Sequence, residues 1–292
     1  MSYQTSRREQ AGSALPSSSL VALGVAFYVY ILSLFTGNRG RRGKEKIIMF
    51  EGNIGAGKTT YVKQLAASAP EHYEAAPEVI GREFLTAFYA HPDRYGFALQ
   101  MTQHAHRAAL VRLALLQDSP ERRLLLDRSI LGDYAFALWN AAIGNLDAEQ
   151  WSLYLEQAGA TVTDALERHV PDAEVASIVF LYDSATRCHE RQRARDEKAV
   201  DSSYMLGLEA AHFIVMASVP TRYHVVEYRW SEYAERGSDD DDDVEDKKHE
   251  LRRESLERRA RDAIEHLVFS KRTRDFLEQE FSKNLLALSR AQ

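Results

Sequence analysis

The stretch Gly52-Asn53-Ile54-Gly55-Ala56-Gly57-Lys58-Thr59 constrains this chain most, because it matches G-x-x-x-x-G-K-[ST] between a strand signal and a helix signal. Ile47-Ile48-Met49-Phe50 before it is a short apolar run that reads as a buried strand. Thr60 to Ala67 after it reads as the start of a helix. That order is what phosphate binding requires. Glycines let backbone N–H groups converge on phosphate oxygens, and the helix N-terminus adds partial positive charge. In this setting the loop, with Thr60, cradles a nucleoside triphosphate, Lys58 reaches the β- and γ-phosphates, and the Thr59 hydroxyl ligates Mg²⁺.

Between the two ends of the chain, apolar runs alternate with helical stretches. The runs are Ile47–Phe50, Leu124–Leu126, Ser177–Tyr182 and His224–Tyr228. The helical candidates are Thr60–Ala67, Phe97–Gln117, Tyr134–Ala142, Glu149–His169 and Ser203–Met216. Strands separated by helices predict an α/β fold, a parallel sheet covered by helices on both faces. Ligands in such folds sit at the carboxyl ends of the strands. Glu78, in Ala76-Pro77-Glu78-Val79, and Asp127-Arg128-Ser129, directly after a strand, are therefore the charged groups to examine.

Charge and the chain ends narrow the setting. Thirty-seven Lys and Arg against 43 Asp and Glu leave a formal charge of −6, with no basic excess to neutralise a nucleic-acid backbone. The single cysteine, Cys188, precludes an internal disulfide and fits a reducing compartment. Leu20 to Phe35 is a charge-free apolar run of sixteen residues, extendable through Thr36, with two arginines before it and five cationic residues after. By the positive-inside rule this reads as a single-pass anchor at 20–36 that leaves the body in the cytosol, with mitochondrial import as the alternative. The expected organisation is a tail (1–19), the anchor (20–36), a basic linker (37–45), a catalytic domain (46–236), an acidic linker (237–246) and a C-terminal helical extension (247–292). In the extension, Leu251, Ala260, Ile264, Leu267 and Val268 have the spacing of amphipathic helices packed on the body or on a second subunit.

Four ordered motifs resemble the deoxynucleoside kinase family: Glu51 through Thr59, Pro77-Glu78, Asp127-Arg128-Ser129, and Arg191-x-Arg193-x-Arg195. The resemblance runs from about Lys44 to Tyr233 and implies a phosphate-loop fold with an arginine-rich lid, usually as a homodimer. It implies transfer of the ATP γ-phosphate, with Mg²⁺, to a deoxynucleoside 5′-hydroxyl. Glu78 matches the carboxylate that takes the hydroxyl proton, Arg128 lies by the transferred phosphate, and Asp127 holds Mg²⁺ with Thr59. Arg191, Arg193 and Arg195 match the lid over the triphosphate, where guanidinium forks suit the transition-state charge. Tyr89, Gln100, Arg107 and Asp133 fall at the family's spacing for residues that hold the sugar and read the base. The Arg107–Asp133 pair implies deoxyguanosine, deoxyadenosine or deoxycytidine over thymidine.

Three departures from the family pattern bear on substrate identity. Lys198 stands where a glutamate usually binds the 3′-hydroxyl, so either Glu197 replaces it or sugar recognition is altered. Glu83 replaces an aromatic residue, and the shortened segment after Asp133 leaves Phe136 as the base-stacking ring. Two alternatives stand beside this reading. One is a nucleoside monophosphate kinase of the thymidylate type, against which Asn53-Ile54 and Pro77-Glu78 argue. The other is a non-catalytic membrane-anchored subunit, which has no physical need for Lys58, Glu78, Asp127, Arg128 and the lid arginines together.

Overall fold

A computed structural model describes residues 47–76, 78, 81–116, 122–167, 177–194, 200–219, 225–229 and 245–291. Its sheet contains β1 (Ile47–Glu51), β2 (Tyr73–Ala76), β3 (Arg123–Asp127), β4 (Ser177–Tyr182) and β5 (Val225–Arg229). The five strands lie in the order β2-β3-β1-β4-β5, and every neighbouring pair is parallel. β1, at the centre, is almost wholly buried, as a strand covered on both faces must be. The chain moves to one side of β1 for β2 and β3, then crosses to the other for β4 and β5. The crevice at the carboxyl end of β1 is thus the topological switch point, where a ligand has room between diverging connections.

Among the described residues, nine helices surround the sheet: α1 (Lys58–Ser68), α2 (Arg82–Ala90), α3 (Pro92–Leu116), α4 (Ile130–Ala142), α5 (Ala148–Glu167), α6 (Ala185–Ala194), α7 (Ser202–Ala217), α8 (Glu245–Glu265) and α9 (Lys271–Ala291). The α/β class and parallel sheet agree with the sequence expectation. β2, α2 and α6 were not anticipated. Four residues of Tyr73–Ala76 carry too little apolar patterning to announce a strand. Glu245 and Asp246, expected in the acidic linker, open α8, where acidic side chains favour the helix N-terminus.

The two C-terminal helices join the main core. Leu256, Ala260, Ile264, Leu267, Leu277 and Phe281 are buried with Tyr134, Leu138 and Trp139 of α4 and with α7. Val268, which the spacing grouped with them, is instead 90% exposed because it falls in the turn between α8 and α9. Arg259 of α8 lies 4.6 Å over the Tyr182 ring at the end of β4. Phe281→Ala should therefore destabilise the whole protein, not fray a tail. The expected loss is about 3–5 kcal/mol, from lost burial plus the cavity left behind. A urea titration followed by tryptophan fluorescence checks this, and a loss below about 1 kcal/mol contradicts it.

The expectation of a membrane-anchored enzyme is corrected. Among the described residues no helix is long and apolar enough to cross a membrane. The segment 20–36 lies outside the described residues, and its sixteen-residue apolar run is short of the about 20 residues that a span needs. The tail, the basic linker and residues 237–244 of the acidic linker also lie outside.

Candidate active site

The phosphate loop turns back between β4 and α6, and its glycines are needed for that path. Gly52, Gly55 and Gly57 have φ values of 139°, 79° and 97°. A Cβ on Gly52 would lie 1.9 Å from the Leu181 carbonyl oxygen, and one on Gly55 would lie 2.3 Å from that of Cys188. The Asn53 amide donates to the Met205 carbonyl at 3.0 Å, and its oxygen accepts from the Ile54 N–H at 2.8 Å. Ala56 is fully buried, so the loop is packed from behind.

Lys58, at the start of α1, is buried and donates to the carbonyls of Gly52 (3.0 Å) and Asn53 (2.7 Å). Burial, then the nearby Arg128 charge, lowers its pKa to about 7, against the opposing pull of Asp127, Glu78 and Glu51. The Thr59 hydroxyl donates to Asp127 Oδ2 at 2.5 Å. The other carboxylate oxygen, Oδ1, is buried without a hydrogen-bond partner. One hydroxyl and one carboxylate with a spare oxygen fit Mg²⁺, which takes few protein ligands and completes its shell with water and substrate phosphates. Among the described residues there is no cluster of three or more His, Cys, Asp or Glu that could hold a metal by itself.

A charged knot sits beside the loop. Glu78 follows β2, Arg128 follows β3, Arg107 comes from α3 and Asp133 from α4. Glu78 Oε1 accepts from Arg107 at 2.6 Å, and Oε2 accepts from Arg128 Nε at 3.1 Å. Arg107 also pairs with the buried Asp133 carboxylate. Arg128 donates to the Gly52 carbonyl at 2.9 Å, and its guanidinium lies 4.6 Å over the Phe136 ring. Burial would raise the Glu78 pKa, but Arg128, Arg107 and Lys58 outweigh it and hold the carboxyl below its ordinary 4.5.

A cavity of about 390 Å³ opens between the loop and this knot, within the range of small-molecule sites. Ile54, Gly55, Gly57, Lys58, Thr59 and Thr60 of the loop and α1 line it. Glu78, Asp127 and Arg128 line it as well. Tyr89, Gln100, Arg107, Asp133 and Phe136 join them, so the residues expected to read the acceptor share one cavity with the phosphate loop.

Arg191 and Arg193, expected in the lid, are not among the residues that line the cavity. Both lie on α6. Arg191 pairs with buried Asp183 and donates to the Arg187 carbonyl at 3.3 Å, while Arg193 is exposed. Gln192 between them lines the cavity. Arg195, Glu197 and Lys198 lie outside the described residues.

Several lining residues escaped sequence reasoning. Leu85 and Phe88 of α2 and Leu99 of α3 form an apolar wall. Gln103 is three residues after Gln100 and four before Arg107, hence on the same helical face, a signal that could have been used. Tyr204 comes from α7 and had no local signal.

A phosphate loop at a sheet switch point, joined to a pocket with a paired carboxylate, defines a phosphate-loop phosphotransferase. The family model for deoxynucleoside kinases matches residues 48–254. The chain is 29% identical over 193 residues to the deoxyadenosine kinase of Dictyostelium discoideum, covering 64% of this chain and 74% of that one. It is 30% identical over 161 residues to the deoxyguanosine kinase of Lactobacillus acidophilus (54% and 68%) and 26% over 194 residues to deoxycytidine kinase 2 of Gallus gallus (56% and 71%). A solved deoxyadenosine kinase from M. mycoides covers 73% of the chain at 15% identity and a TM-score of 0.49, too coarse a likeness to bear on the site. This chain belongs to the deoxynucleoside kinase family. It is a phosphotransferase that acts on deoxynucleosides in nucleotide salvage.

Proposed function

We propose that the protein transfers the γ-phosphate of ATP to the 5′-hydroxyl of a purine deoxynucleoside or deoxycytidine, in preference to thymidine. One observation carries this most: Glu78, held by two guanidiniums, faces a cavity that also contains the phosphate loop. The acceptor 5′-oxygen attacks the γ-phosphorus while the Glu78 carboxylate takes its proton, and ADP leaves. Arg128 balances charge on the transferred group, and Lys58 turns from the loop carbonyls to the β- and γ-phosphates. Thr59 and Asp127 would hold Mg²⁺, which neutralises phosphate charge when bound.

Tyr89 is assigned to the sugar 3′-hydroxyl, with Glu197 as its second partner, and Gln100 to the base edge. Phe136 offers a ring to the base and is already stacked under Arg128. Arg191, Arg193 and Arg195 belong to the lid in this reading, and Arg191 would have to leave Asp183 to reach the triphosphate. The homodimer implied by the family resemblance is part of the same proposal.

The preference rests on the Arg107–Asp133 pair at the cavity, which would crowd the 5-methyl group of a thymine base in this reading. Relatives carrying the deoxyadenosine, deoxyguanosine and deoxycytidine names support it. Comparing kcat/KM across the four deoxynucleosides at fixed ATP tests the point. Thymidine should be the poorest; thymidine as the best acceptor contradicts the assignment.

A further inference from the structure

Glu51, the last residue of β1, has a fully buried side chain that reaches the start of α4. Its Oε1 accepts from the Ser129 N–H at 2.6 Å and from the Ser129 hydroxyl. That hydroxyl in turn accepts from the Leu131 N–H at 3.1 Å, capping α4. Just before Ser129 stands Arg128, whose φ of 74° is the left-handed conformation that a side chain disfavours. Such a residue stays there only where its surroundings over-determine it. Two contacts do so here. The Arg128 N–H donates to the Phe50 carbonyl at 3.0 Å, and Glu51 grips the next residue.

The consequence is direction. From this turn the Arg128 guanidinium reaches both Glu78 Oε2 and the Gly52 carbonyl. α4 is also shaped around the carboxylate: a Cβ on Gly132 would lie 2.4 Å from Glu51 Oε2. An apolar side chain would fill this space at less cost. A buried carboxylate with one oxygen unpartnered is expensive, and burial pushes its pKa up.

We propose that Glu51 is a positioning residue of the transfer reaction, setting the Arg128 turn through Ser129. This rests on the role given to Arg128 above. Full-length Glu51→Ala should lower kcat by about tenfold to a hundredfold, the scale of a small misplacement, with acceptor KM within about threefold. Glu51→Gln keeps the shape and an oxygen towards Ser129, and should restore kcat to within about threefold of wild type. Gly132→Ala should also lower kcat, yet add nothing in the Glu51→Ala background, where the clash has gone.

A Glu51→Ala kcat within about threefold of wild type overturns the inference, as does Glu51→Gln as impaired as Glu51→Ala, or full additivity with Gly132→Ala. If Glu51→Ala does not fold, Ser129→Ala must show the same kcat loss at unchanged KM, and normal turnover there overturns it. Arg128→Ala separates the two levels. Retained turnover in that variant removes the parent reading, whereas a dead Arg128→Ala beside an active Glu51→Ala removes only this inference.

Discussion

Glu78→Gln should lower kcat by about 10²–10⁴ while leaving acceptor KM near its wild-type value. The amide keeps the shape and one acceptor oxygen, so the pocket still closes on the sugar. It cannot take the 5′-hydroxyl proton. The two guanidiniums at 2.6 and 3.1 Å add a pH signature. They hold the Glu78 pKa below 4.5, so the base stays ionised through the neutral range and its loss sets an acid limb below pH 4.5. The sign for stability is the same. The ion pairs contribute above the unfolded-state pKa, and that contribution fades as pH falls through the depressed folded value. Steady-state kinetics of both enzymes from pH 4 to pH 9 check the prediction (about the range in which these groups titrate). A variant that keeps most of its turnover would mean that another carboxylate is the base.

The second large effect is expected at the acceptor wall. Arg107→Met with Asp133→Ala should raise thymidine phosphorylation relative to the purine and cytosine substrates, since the pair no longer crowds a 5-methyl group. Arg107→Met alone leaves the buried Asp133 carboxylate without its partner, at a cost of about 3–5 kcal/mol in stability, whereas Asp133→Ala alone leaves Arg107 paired with Glu78 only. The structure adds a term that the sequence did not carry. Arg107 also pairs with Glu78, so the double variant loses one of the two guanidiniums that position the base. Its absolute kcat should therefore fall even as the thymidine ratio rises. Competition assays with paired deoxynucleosides read that ratio directly, and an unchanged ratio contradicts the assignment.

The parts legible in the sequence are those where local pattern and site chemistry coincide. The phosphate loop was readable because the glycines that shape its backbone and the Lys58 and Thr59 side chains fall within eight consecutive residues. β1, β3 and β4 were readable as short apolar runs because burial on both faces leaves no alternation to blur them. Tyr89, Gln100, Arg107 and Asp133 were proposed as acceptor residues from their family spacing, and with Phe136 they line one cavity.

Most of what escaped depends on partners distant in the chain. Arg191 lies near the site in sequence logic, yet Asp183 at the end of β4 holds it aside. Gln103 shared a helical face with two recognised residues and was still passed over. The C-terminal helices read as an addition because their charged faces dominate the composition. Their apolar stripes, with Leu256, Ile264 and Phe281, complete the core behind α4 and α7.

One measurement tests the central claim most directly. The full-length protein is given ATP labelled at the γ-phosphate, with Mg²⁺, and offered each deoxynucleoside in parallel with its 5′-monophosphate. The account predicts labelled 5′-monophosphates from the nucleosides, strongest for a purine or cytosine base, and no labelled diphosphates. Label that passes only to the monophosphates, or to neither acceptor while the protein remains folded, would contradict it.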